Sequence, residues 1–110
     1  MTAEEYIRVL KAPGSRRFNV THRQCIAYEL RLLGYRPVVI CKVLHITKSN
    51  INYMINTFST MLGVDDKYAV EAVREFDCHR FSISPCFRER NGVMEEDYRL
   101  VIDNKIMNYD

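Results

Sequence analysis

Along the first 76 residues apolar positions recur at intervals of three and four, the period of helices that each bury one side. Thr2 and Glu5 resemble a capping box, followed by Tyr6, Ile7, Val9 and Leu10 as an apolar side before Pro13-Gly14-Ser15 breaks the pattern. A second capping box, Thr21 with Gln24, precedes a stripe of Ile26, Ala27, Leu30 and Leu33, and Gly34 supplies a stop. Pro37 suits the first turn of a third helix, where its missing N–H is no loss. Val39, Ile40, Val43 and Leu44 form that helix's inner side, and it is expected to end near His45. Thr47 is expected to cap a fourth helix with Ile51, Met54, Ile55, Phe58 and Leu62 on one face and Gly63 at its end. Asp65-Asp66 open a fifth, favourable against the helix dipole, with Ala69, Val70, Val73 and Phe76 as its stripe.

Beyond Phe76 the helical period fades. Phe81, Ile83, Val93, Leu100 and Ile102 are scattered among polar residues, and Asn91-Gly92 is a turn pair of tight hairpins. Pro85 cannot donate to a ladder, so a strand through it is confined to an edge or a break. The pattern predicts a mainly α fold: a helix-turn-helix bundle of about four or five helices with a small C-terminal β-hairpin. It divides into an N-terminal helix and linker (1–15), a helix-turn-helix domain (16–76) and a C-terminal extension (77–110) packed on the same domain.

Composition adds little until it is read by segment. The 110 residues, 47% hydrophobic and 27% charged, suit one soluble core. No run approaches the roughly 20 apolar residues of a membrane span. Glu4 and Glu5 stand where a secretory signal would carry bases. Cys25, Cys41, Cys78 and Cys86 show no CxxC pairing, which suits reduced thiols, and the expected location is cytoplasmic. The formal charge of +2 is unevenly spread. From Arg16 to Tyr53 there are seven bases against one acid; from Asp65 to Asp110, seven against eleven. The positive half is the candidate phosphate-facing surface.

A short helix, a turn of three or four residues and a longer second helix make a helix-turn-helix, and Pro37 to Leu62 has those proportions. With Ile51, Ile55 and Phe58 turned inward, the second helix offers Lys48, Ser49, Asn50, Asn52, Tyr53 and Asn56 as candidates to touch bases. Asn bonds adenine bidentately, hydroxyls donate or accept, and Lys reaches guanine or a phosphate. No acid on this helix repels DNA. The unpaired N–H groups around Lys48 to Asn50 also favour a phosphate oxygen. Arg16, Arg17, Arg23, Arg36, Lys42 and Thr47 are the candidates for the DNA backbone, with Arg16-Arg17 as a basic arm in the linker. The function expected is double-stranded DNA binding, sequence-specific, in transcription or replication control. The alternative is a helix-turn-helix-derived protein-interaction adaptor, and a homodimer suits either.

An enzyme is not expected. Cys41 with His45, and Cys78-His79 with Cys86, match no familiar zinc spacing, and Glu95, Glu96 and Asp97 are adjacent, so no catalytic or metal residues are assigned. Neither a cofactor nor a small-molecule substrate is indicated, and no glycine belongs to a phosphate-binding loop.

Four features point to one family: the opening Arg23-Gln24-Cys25-Ile26-Ala27-Tyr28, the short helix at Pro37-Val38-Val39-Ile40, Thr47-Lys48-Ser49-Asn50-Ile51, and Asp65-Asp66 followed by a helix. From Arg23 through Phe76 the chain resembles the C-terminal DNA-binding domain of the bacterial replication initiator DnaA, of the Trp-repressor-like helix-turn-helix group. Where that family carries Asp-His-Thr-Thr-Val, this chain has Thr47, Lys48 and Asn50 in place of Asp, His and the second Thr. The resemblance implies Lys48, Ser49 and Asn50 as base readers and Arg36 as a phosphate contact. The substitutions mean that it does not imply the initiator's own DNA box, and the initiator's ATPase activity is absent.

Overall fold

Helix α1 (Ala3–Lys11) begins as its capping box predicts: the Thr2 hydroxyl accepts from the Glu5 N–H. Tyr6 and Leu10 are buried on its inner side. The computed structural model, which describes residues 1–108, continues with α2 (Arg17–Leu32), α3 (Pro37–Leu44), α4 (Lys48–Gly63) and α5 (Lys67–Asp77). Strands β1 (Phe81–Arg90), β2 (Val93–Ile102) and β3 (Lys105–Ile106) follow, forming one antiparallel sheet in the order β1-β2-β3. The fold is mainly α with a small C-terminal hairpin, and the third strand is an addition to the sequence reading. The expected extension 77–110 is described as far as Asn108; Tyr109 and Asp110 lie outside the described residues.

Three of the helices stop in the same way, which is why the links between them are so short. Tyr35 N–H reaches Leu30 O, Ile46 N–H reaches Cys41 O and Asp66 N–H reaches Met61 O, each bond closing a helix over a residue of positive φ. Those residues are Gly34 (φ 97°), His45 (φ 54°) and Asp65 (φ 55°). Glycine enters this left-handed region freely, whereas His and Asp enter it at a cost of about 1 kcal/mol. Gly34 is the expected stop, and Gly63 is the last residue of α4, as expected, although the left-handed turn after it falls at Asp65.

The start of α2 also differs from the capping-box reading. Thr21 is a buried residue within the helix, only 2% exposed, and Arg17 is the first helical residue rather than part of a linker arm. No side chain caps this end. Tertiary contacts hold it instead: Arg17 pairs with Asp66 at 2.6 Å and lies over the Tyr68 ring, while within the helix Phe18 meets His22 edge-on. A cap is a local device, and packing against α5 overrides it here.

The main core joins α1 to α4 with the sheet through Tyr6, Ile26, Leu30, Ile40, Val43, Ile51, Leu100 and Ile102. A smaller cluster packs Phe58 of α4 on Cys25 of α2 and on Ala69 and Ala72 of α5. Asp66 caps α5, accepting from the N–H groups of Tyr68 and Ala69. The sheet base is tied to α5 by His79, whose ring nitrogens meet Asp103 at 2.5 Å and Glu75 at 2.8 Å. Pro85 lies in β1, an edge strand, and Asn91-Gly92 form the turn with both φ positive, as the hairpin signal requires.

Candidate nucleic-acid interface

Helix α3, the three-residue link His45-Ile46-Thr47 and the sixteen-residue α4 reproduce the expected helix-turn-helix proportions. Pro37 stands at the start of α3, where it forfeits no intrahelical bond. The left-handed His45 reverses the chain, and Ile46, packed against the core, anchors the turn from within. Ile51, Met54 and Phe58 then hold α4 by its inner face.

That packing leaves Lys48, Ser49, Asn50, Asn52, Tyr53 and Asn56 exposed, all six of the candidates for base contact. Tyr53 is 65% exposed, unusual for an aromatic side chain with a helical core so near. Thr47 is the N-terminal flanking residue, but its hydroxyl does not cap the helix; it lies 3.1 Å from the Ser49 hydroxyl. Asn50 N–H bonds Thr47 O at 3.1 Å, so the unpaired donors at this end narrow to Lys48 and Ser49. Asn50 and Tyr53 also line a 230 Å³ hollow shared with Ser15, Arg23 and Gln24.

The backbone-contact candidates divide into two groups. Arg16, Arg36, Lys42 and Thr47 are exposed. Arg17 is committed to Asp66 and Tyr68, and Arg23 donates to Ala12 O and to Gly14 O, pinning the linker onto α2. Arg23 therefore shapes the hollow beside α4 through the linker it holds. Lys42 lies on the other side of the turn, its ammonium donating to Glu96 O at 2.9 Å.

There a second hollow, of 340 Å³, separates α3 from the hairpin and is lined in part by Lys42, His45, Arg88 and Arg90. The two arginines come from a segment whose net charge is negative, so counting charge along the chain passes over them. The signal that finds them is alternation: with the turn fixed at Asn91-Gly92, residues 88 and 90 must share one face of the ribbon.

Cys41 is buried in α3; burial pushes its thiol up, against a smaller downward pull from Lys48. His45 is exposed at the helix end. Among the described residues no group of three or more His, Cys, Asp or Glu is placed to hold a metal ion. Nor is any described helix long and apolar enough to cross a membrane.

Comparison with protein-family models, with curated proteins and with solved structures finds no match for this chain. The reading of the site therefore rests on its own chemistry.

Proposed function

We propose that this protein binds double-stranded DNA, with α4 in the major groove and α3 crossing above it. The observation that carries the reading is the exposed face of α4. It presents a Lys, a Ser, three Asn and a Tyr without one acid, on a helix fixed to the core by Ile51, Met54 and Phe58. Exposed helix faces are ordinarily built from better helix formers such as Glu and Lys, so a run of Asn and Ser is a choice for hydrogen bonding. Those groups match the donor and acceptor edges of base pairs.

The arrangement supports sequence-specific binding inside the cytoplasm, used to control transcription or replication, in line with the resemblance to the initiator's DNA-binding domain. Two copies on a two-fold site would double a short readout. A second reading, a protein-interaction adaptor, is favoured by the exposed Phe87, Val93 and Met94 near the hairpin tip.

Selection from a randomised duplex pool at two salt concentrations tests the proposal. An enriched motif with steeply salt-dependent affinity is the expected result. Binding to no duplex even at low salt refutes it in favour of the adaptor.

A further inference from the structure

The hairpin turns over as it leaves the core. On β1 the half-buried residues are first Phe81 and Ile83, then, beyond Pro85, Cys86 and Arg88, while Phe87 is exposed. The pairing register is unbroken from Phe81↔Ile102 to Arg90↔Val93, so no bulge causes the change. Twist does, and it is strong in a two-stranded ribbon. The base of the ribbon thus lays one face on the core, and its distal half turns the other face to α3.

Alternation sorts the hairpin's charges between those faces. The face turned to α3 carries Arg88, Arg90 and Arg99 with Glu95 and Asp97; the opposite face carries only Glu89 and Glu96. Asp97 is engaged by Arg88, whose Nε stands 3.3 Å away, which holds that guanidinium at the cleft. Lys42 completes the wall from α3, fixed by Glu96 O and lying 5.6 Å from the centre of the Tyr98 ring. The 340 Å³ cleft so formed also touches Ile46 of the helix-turn-helix link, directly beside the start of α4.

We infer that the distal hairpin is a second DNA-contacting arm, Arg88 and Arg90 gripping backbone phosphates that flank the groove occupied by α4. The inference rests on the DNA-binding reading above. A guanidinium matches a phosphate with two parallel N–H bonds; Arg90 is exposed to make them, and Arg88, its Nε held by Asp97, keeps its two terminal NH2 groups for them, so that beside Lys42 the pair follows a strand rather than a single ion. Such contacts set the register of the protein on the duplex without reading sequence.

The test is a salt series of binding to a duplex bearing the selected motif, with the wild type, R88Q/R90Q and R88K/R90K compared. Each phosphate contact contributes about 0.9 to the slope of log K against log salt. Losing two is expected to flatten the slope by about 1.8 and to weaken binding roughly tenfold per contact at about 0.1 M salt, while the enriched motif stays the same. The lysine variant, which keeps both charges, is expected to retain most of the slope. If R88Q/R90Q does not fold, R90Q alone carries the test, because Arg90 is exposed at the turn; the expected change is then about 0.9. Unchanged slope and affinity in the glutamine variant, alongside weakened binding by N50A, overturns the arm and leaves the role of α4 standing. No binding by the wild type overturns both.

Discussion

Asn50 and Ile51 are neighbours in the chain with opposite duties, and substituting each in turn tests both the orientation of α4 and its chemistry. Asn50 is exposed in the first turn; Ile51 is 2% exposed and packed in the main core. Ile51→Ala removes buried carbons and leaves a cavity, at an expected loss of about 2–5 kcal/mol of stability, and Ile51→Val about 0.5–1.5 kcal/mol. In a chain of this size about 1 kcal/mol lowers the thermal midpoint by roughly 4 °C, so the valine variant stays measurable even if the alanine variant unfolds. Asn50→Ala removes only surface, and its stability is expected within about 0.5 kcal/mol of the wild type. Its effect belongs to binding: about 1–3 kcal/mol on the preferred duplex, roughly fivefold to 150-fold, and little on a scrambled one. Urea titration gives the first pair of numbers and fluorescence anisotropy on the two duplexes gives the second. A loss equal on both duplexes would refute base reading by Asn50. A destabilisation by Asn50→Ala as large as that by Ile51→Val would refute the orientation of the helix.

Two further predictions concern what holds the scaffold. Asp66→Ala removes the acceptor of two N–H groups at the start of α5 together with the partner of Arg17, and is expected to cost about 1–2 kcal/mol in urea, with Asp66→Asn retaining most of the cap. Burial of His79 lowers its pKa, but hydrogen bonds to Asp103 and Glu75 outweigh it and raise the folded value above the ordinary 6.5. The stabilisation from its charged form is then fully present below about 6.5 and is lost as pH rises through the higher folded value. Thermal midpoints from pH 6 to pH 9 are expected to fall toward those of His79→Gln; a constant gap between the two proteins across that range would refute the charged histidine.

Most of the helical part was legible because it depends on local chemistry. Pro37 at a helix start, Gly34 at a stop and the apolar stripe of α4 each act within a turn or two, so their spacing alone predicts an element. The exposed candidates on α4 follow from the same stripe, since burying Ile51, Met54 and Phe58 leaves the other positions outward. Where local signals misled, a distant partner outweighed them. The Thr21 box lost to contacts from α5 that extend α2 back to Arg17. Gly63, by contrast, ends α4 as its position predicts, with the left-handed turn following at Asp65.

The period of apolar positions, the turn chemistry at Gly34, Pro37 and Asn91-Gly92, and the acid-free polar face of α4 belong to the sequence by itself. They determined a mainly helical chain with a helix-turn-helix and a hairpin, because each is a short-range matter of backbone freedom and side-chain period. Only the tertiary structure decided how the charges are used. Arg17 and Arg23 looked free in the chain and are spent on Asp66 and on the linker carbonyls, whereas Arg88, paired with Asp97, and Arg90 come from an acidic segment and stand against α3 beside Lys42. Charge acts through space, and distance in space is set by packing and by the twist of the ribbon, neither of which a count along the chain contains.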